Sequence, residues 1–257
     1  MIAHLKNDIL FFKFPVLSGF SGLAHGVFTR QGGQSPPPFD SLNVGLNSGD
    51  DADAVESNRS AIAGCLCTSR PVIFCDQVHG AVVVSLKKAA DSNVWPNITG
   101  DALITDIPGM PIGIQLADCQ AILLYDPVRS VVANVHSGWR GSIQNIAGAT
   151  IDRMQSDFRC QPADIRAAVS PSLGPCCSEF KNYQTEIPEQ FWDYRDGRNH
   201  FNFWDISRDQ LTDAGILPEN IEISGICTKC NAHLFYSYRK NPETGRFAAV
   251  AGLMDPY

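Results

Sequence analysis

Two imidazoles and a thiol stand at or near the ends of apolar runs: His79 closes "VIFCDQVH", Cys119 follows "IGIQLAD", and His136 closes "VVANVH". Strand tips suit functional side chains, because the scaffold behind them is rigid and the loops ahead leave space. Two histidines and a thiolate make a zinc set with a fourth position left for water or substrate. An ion there would bring the pKa of a bound water to near ~7. Asp118, adjacent to Cys119, reads as an orienting or proton-transfer group. The same residues support a second chemistry without metal, with Cys119 as a thiolate nucleophile and His136 as its base. That arrangement would be a hydrolase or amidase, with Asp118 or an amide orienting the imidazole. The plainest alternative is a hydrogen-bonded core histidine and a buried thiol.

Arg140 follows His136 in the loop "SGWRG", where glycines permit close backbone approach and a guanidinium suits phosphate or carboxylate. Arg59, Arg30 and Asn43, in "ESNR", "TRQGG" and "SLNVGLNSGDD", are the next candidates for contacting substrate or an anion, with Asp50 beside them, although each alone reads more readily as loop scaffolding. Arg239 in "FYSYRK" is a further candidate to face a ligand. "SPSLGPCC" at 170–177 adds hydroxyls and backbone donors. "CTKC" at 227–230 is a lone CxxC; it reads as buried thiols, with a structural zinc shared with His233 or with Cys176 and Cys177 as the competing reading.

These residues need elements to carry them. The chain has 257 residues, 44% hydrophobic and 18% charged, which suits a globular protein with a sizeable core. A net charge of −7 argues against binding a nucleic-acid polymer, and no apolar run is long enough to span a bilayer. The opening "MIAHLKNDILFFKFP" reads as a first strand and not as a secretion signal. Nine cysteines without such a signal imply reduced thiols and a cytoplasmic setting. Strands are expected at 71–80, 81–87, 101–105, 111–117, 120–125 and 130–136, with late ones in "ENIEISGICTKC" and "RFAAVAGL". A polar loop, "DSNVWPNITG", interrupts them at 91–100. Helices are expected at 50–66, 142–158 and 206–216 from apolar periodicity. Interleaved strands and helices give an α+β fold with mixed sheets, one domain over residues 1–257.

Taken together, "FTRQGG", "LNVGLNSGDD…ESNR", "DQVHG", "GDALIT", "LADCQAILLYDP", "VANVHSGWRG", "LGPCCSEF" and "CTKC…FYSYRK…GR" resemble the polyphenol-oxidase or laccase-domain family. That family is also called peptidoglycan editing factor and purine nucleoside phosphorylase-like. The resemblance covers nearly the whole chain. It implies an α/β/β/α sandwich related to Cys–His deamidase toxins, and a metal site, usually zinc, at the positions of His79, Cys119 and His136. The implied activity is phosphorolysis of adenosine, inosine, guanosine and methylthioadenosine to base and ribose 1-phosphate, with deamination of adenosine beside it. Purine nucleosides and phosphate would then be the partners. Copper-dependent oxidation of phenols is the older label. A multicopper centre needs about ten imidazoles, many in His-x-His pairs, whereas this chain has six histidines and no such pair. The family often has His where Asn47 stands and Ala where Ser137 stands, departures that bear on substrate preference. Two alternatives remain beside the phosphorylase: a Cys–His amidase acting on peptidoglycan-related amides, and a non-enzymatic binding factor.

Overall fold

Short apolar strands, buried on both faces, build this molecule from the middle outward. The computed structural model describes residues 1–66, 68, 70–87 and 98–255, so most of the polar loop expected at 91–100 lies outside the described residues. Its strands are β1 (Ile2–Lys6), β2 (Ile9–Lys13), β3 (Leu23–Phe28), β4 (Ile73–Phe74), β5 (Val83–Leu86) and β6 (Ala102–Thr105). They continue as β7 (Ile112–Leu116), β8 (Gln120–Asp126), β9 (Val131–Ser137), β10 (Arg166–Val169), β11 (Ile221–Ile223) and β12 (Phe247–Leu253). The helices are α1 (Pro15–Ser18), α2 (Ala52–Cys65), α3 (Trp139–Ile143), α4 (Ile146–Phe158), α5 (Tyr183–Glu186) and α6 (Phe203–Asp213).

Among the described residues two six-stranded sheets form, in the orders β1-β2-β3-β12-β7-β4 and β11-β10-β8-β9-β6-β5. Both are mixed, since β4 runs parallel to β7, β5 to β6 and β10 to β11 while the remaining pairs are antiparallel. Ile112, Ile114, Phe247 and Ala249 of the first sheet face Leu123, Tyr125, Val132 and Ala168 of the second across one core layer. Residues of the opposite parity, Ile122, Leu124, Ala133 and Val135, turn outward onto Ile146, Ile151 and Met154 of α4 and Leu211 of α6. On the far side, Phe28, Ala248 and Val250 pack on Ile62 and Ala63 of α2. The period-two strands therefore bury both faces, and the result is the expected four-layer α/β/β/α sandwich with two mixed sheets.

Asn134 of β9 points into the middle layer, where its Nδ2 donates to the carbonyls of Ile112 at 3.2 Å and Ala249 at 2.8 Å. A polar side chain there is held only because it meets backbone acceptors of the opposing sheet.

Three local expectations are corrected. The opening segment is a hairpin and not one strand, because Asn7 and Asp8 adopt φ 52° and 63° and turn the chain back on itself. The helix expected over 142–158 is two helices, since Asn145 (φ 56°) ends the first and caps the second through Gly148 N–H. The strand expected over 71–80 survives only as Ile73–Phe74.

Leu123 lies in the middle of the inter-sheet layer and is 1% exposed. Leu123→Ala should lower unfolding free energy by about 2–5 kcal/mol in urea titrations, through lost burial and the cavity left behind.

Candidate active site and metal centre

His136 shares its strand parity with Val132 and Asn134, so it points into the inter-sheet layer near one end of the sandwich. It is nearly buried, and its Nδ1 lies 2.9 Å from Oδ1 of the fully buried Asp101. The His136 N–H also donates to the Asp101 carbonyl at 2.6 Å. With Nδ1 so engaged, Nε2 is the ring nitrogen left to face the cavity.

The same carboxylate places the second histidine. Oδ1 of Asp101 accepts the His79 N–H at 2.9 Å, and Oδ2 accepts the Gly80 N–H at 2.8 Å. His79 therefore sits on an irregular turn with φ 59°, and not on a strand tip as its sequence suggests. Two charge-assisted hydrogen bonds to consecutive amides hold that turn in place. The His79 and His136 rings meet edge to face, with centroids 4.7 Å apart.

Cys119 completes the set from the short link between β7 and β8, where Asp118 adopts φ 89°. The ligand atoms of His79, Cys119 and His136 all lie within 4.8 Å of one another. Gly138 closes round them: a Cβ there would stand 3.2 Å from Cys119 Sγ and 3.3 Å from His79 Cδ2. Gly138 is favoured by tight space and not by backbone angle, since its φ is −73°. Two imidazoles and a thiolate around one point, one ring oriented by a carboxylate, fit a tetrahedral ion with three protein ligands and an open fourth position.

Burial on its own would raise the Cys119 thiol. The His136 charge and hydrogen bonds from both histidines instead pull it down to about 6. Burial likewise opposes the His136 imidazolium, but the Cys119 thiolate and Asp101 hold it up at about 9. Without metal, the pair is a thiolate and an imidazolium across the interval between those values. Asp101 is kept low despite its burial, through its bonds to His136, Gly80 and His79.

A cavity of about 570 Å³ opens over the three residues. Arg140, Arg239 and Arg246 line it, together with Trp139, Phe180, Phe203 and Tyr238. Arg140 is exposed and stacks over Trp139 at 4.3 Å. Asn47 and Ser137, the two departures from the family pattern, both line the cavity.

Other expected residues lie elsewhere. Arg30 binds the Asp40 and Ala232 carbonyls and stacks over Tyr236. Arg59 binds the Val44 carbonyl and stacks over Phe74. Both guanidiniums fasten loops, and neither residue is among those lining the cavity. Asn43 is fully buried, and its Oδ1 accepts the Arg246 N–H at 2.7 Å, so it positions a cavity arginine without reaching the cavity itself. Its Nδ2 is spent on Ser48 and Asp50, each at 2.8 Å, which places Asp50 in that loop network too.

Asp118 does line the cavity, with both carboxylate oxygens occupied: Oδ1 accepts from Thr228 and Oδ2 from the Arg239 N–H, each at 2.6 Å. Sequence reasoning missed Asp101 and Arg246, although both stand inside quoted motifs, "GDALIT" and "GR". An acidic residue one step before an apolar strand was the available signal for the first.

A family model described as "Multi-copper polyphenol oxidoreductase laccase" matches residues 24–254. The chain belongs to this family. It is 33% identical over 251 residues to purine nucleoside phosphorylase YlmD of Geobacillus stearothermophilus, covering 91% of each chain. It is 35% identical to a purine nucleoside phosphorylase of Deinococcus radiodurans, covering 89% of this chain and 88% of that one. Among solved structures, Bacillus licheniformis hypothetical protein YfiH superposes with a TM-score of 0.85 at 30% identity, covering 96% of this chain and 97% of the other. YlmD from Geobacillus stearothermophilus gives 0.84 at 29% identity, covering 98% of each. The three ligand candidates, Asp101 and the cavity arginines all lie within the span that matches the family.

Two measurements check this electrostatic picture. In metal-free protein, alkylation of Cys119 should rise with pH through a midpoint of about 6, since only the thiolate reacts. Removing the imidazolium in His136→Asn should move that midpoint up toward the ordinary thiol range, read against Cys119→Ser as the blank. Asp101→Asn retains the shape but removes the charge. It should weaken zinc binding about 10–100-fold in a chelator competition while the far-ultraviolet spectrum stays native.

Proposed function

We propose that this chain is a zinc-dependent purine nucleoside phosphorylase acting on adenosine, inosine, guanosine and methylthioadenosine, with adenosine deamination at the same site. The observation that carries the reading is the cavity wall: three arginines and four aromatic rings around a His–Cys–His cluster. Aromatic faces suit a purine and guanidiniums suit phosphate, so one cavity offers both halves of the substrate pair. The names of the relatives agree with that assignment.

In phosphorolysis a phosphate oxygen bonds to ribose C1′ as the C1′–N9 bond breaks, and its electron pair leaves on the purine, which takes up a proton. Arg140, Arg239 and Arg246 hold the phosphate dianion beside the ribose, Arg246 being pre-set by Asn43. Arg239 is held by Asp118 at its N–H and donates to the Glu179 carbonyl at 2.9 Å. With both oxygens engaged, Asp118 is assigned to positioning Arg239. Bound by His79, Cys119 and His136, zinc would supply Lewis acidity at one face of the cavity, with a fourth position open to ligand. Deamination exchanges the adenine C6 amino group for a water oxygen and releases ammonia, so it needs no phosphate.

The family's descriptive name points to several coppers, which this donor set does not fit. Only His79 and His136 of the six histidines line the cavity, too few for a multicopper centre.

One observation favours a second reading. Cys119, His136 and Asp101 are arranged as nucleophile, base and orienting carboxylate, which is the layout of a Cys–His amidase. Zinc separates the two, since it would activate the phosphorylase and silence the amidase.

With adenosine and phosphate, zinc-loaded protein should form adenine and ribose 1-phosphate, and without phosphate only inosine. Folded, zinc-loaded protein that forms none of these would overturn the proposal. Arg246→Ala should raise KM for phosphate about tenfold or more, through loss of a charged donor, whereas Arg59→Ala should leave it unchanged.

A further inference from the structure

The CxxC at 227–230 does not lie among buried thiols as its sequence suggests. Cys176, Cys177, Cys227 and Cys230 converge, with all four sulfurs within 4.8 Å of one another. Cys230 Sγ lies 3.6 Å from both Cys176 Sγ and Cys177 Sγ. Only Cys227 is buried, while Cys176 and Cys230 are exposed and Cys177 is half-buried. Four thiols gathered near the surface do not arise from core packing, which would bury each as a small apolar group.

Four cysteine sulfurs gathered round one point are the donor set that a closed tetrahedral zinc site takes. The two loops are also already joined: Ser172 N–H donates to the Ile226 carbonyl at 3.1 Å and Thr228 N–H to the Ser172 carbonyl at 2.9 Å. The spacing is thus a vicinal pair on one loop and a CxxC on the other, brought into register by a parallel bridge between Ser172 and Cys227.

We infer that Cys176, Cys177, Cys227 and Cys230 form a second, structural zinc site with four sulfur ligands and no open position. Binding takes one Zn²⁺ and four thiol or thiolate sulfurs, and releases to solvent the protons of those still protonated. No oxidant or reductant is involved. The site clips together two loops that line the cavity: one brings Ser172, Leu173, Ser178 and Phe180, the other Tyr238 and Arg239. Arg239 reaches back over the clip, donating to the carbonyls of Cys177 and Glu179. Its cation thus stands beside the net negative charge that four thiolates around Zn²⁺ would carry.

This inference is independent of the catalytic reading, and the test separates them. Protein carrying His79→Ala, Cys119→Ala and His136→Ala together, purified under reducing conditions, should retain one equivalent of zinc by elemental analysis and native mass spectrometry. Adding Cys176→Ser and Cys230→Ser should remove it. Unmutated protein loaded with cobalt offers a check that needs no variant: a four-thiolate site gives strong sulfur-to-metal charge transfer that a His–Cys–His site cannot match. A folded triple variant without zinc, weak charge transfer in the cobalt form, or a mass showing disulfides between these cysteines under reducing conditions would each overturn the proposal. Zinc retained after Cys176→Ser and Cys230→Ser would do so as well.

Discussion

The buried carboxylate of Asp101 is the interaction on which the site depends. A carboxylate withdrawn from water is costly unless it is hydrogen-bonded and matched by charge. Here it is fully enclosed and accepts from His136 Nδ1, the His79 N–H and the Gly80 N–H. These bonds settle three things at once: the ring nitrogen His136 turns to the cavity, the positive φ of His79, and the path of the chain into β5. Neither histidine alone would define a site. The carboxylate converts two residues distant in sequence into one geometry, and Cys119 needs only to arrive from the facing sheet.

That arrival follows from the sandwich. Cys119 lies just beyond β7 of one sheet, while His136 ends β9 of the other. The packed layer between the sheets fixes the separation of these ends, and Asn134 ties β9 to β7 and β12 two residues before the histidine. A rigid core thus sets the spacing of the His79, Cys119 and His136 cluster, a candidate metal-binding triad. Others of the cavity's residues stand on loops, where no ladder holds them, and three of these are fastened individually. Asn43 holds Arg246, Asp118 holds Arg239, and Trp204 Nε1 donates to Ser172 Oγ at 2.7 Å.

That division explains what was legible in the sequence. Strands β6 to β9 and β12 follow from their short, nearly continuous apolar runs, which is how strands buried on both faces read. His136 and Cys119 follow from standing at the ends of those strands. His79 was picked out for the wrong local reason: its run "VIFCDQVH" looks like a strand, but Asp101 captures its amides and turns the chain. The arginines divided in the same way. Arg140 was readable because it follows His136 in the chain, while Arg30 and Arg59 were as plausible by type yet stand away from the cavity. Nothing local distinguishes a guanidinium that fastens a loop from one that faces a ligand, since the difference lies in partners far away in sequence.

Histidine makes the same point within one chain. His25 is as buried as His136, and its Nε2 accepts the Phe14 N–H at 3.0 Å. Burial, with Lys13 nearby, lowers it to about 4, so it is neutral and structural. His136 is held up at about 9 because a thiolate and a carboxylate overcome the same burial. Residue type and burial are shared, and only the charged neighbours differ. A site of this kind is therefore defined by the acids and thiols that the fold delivers to an imidazole, and Asp101 is the residue that makes the difference here.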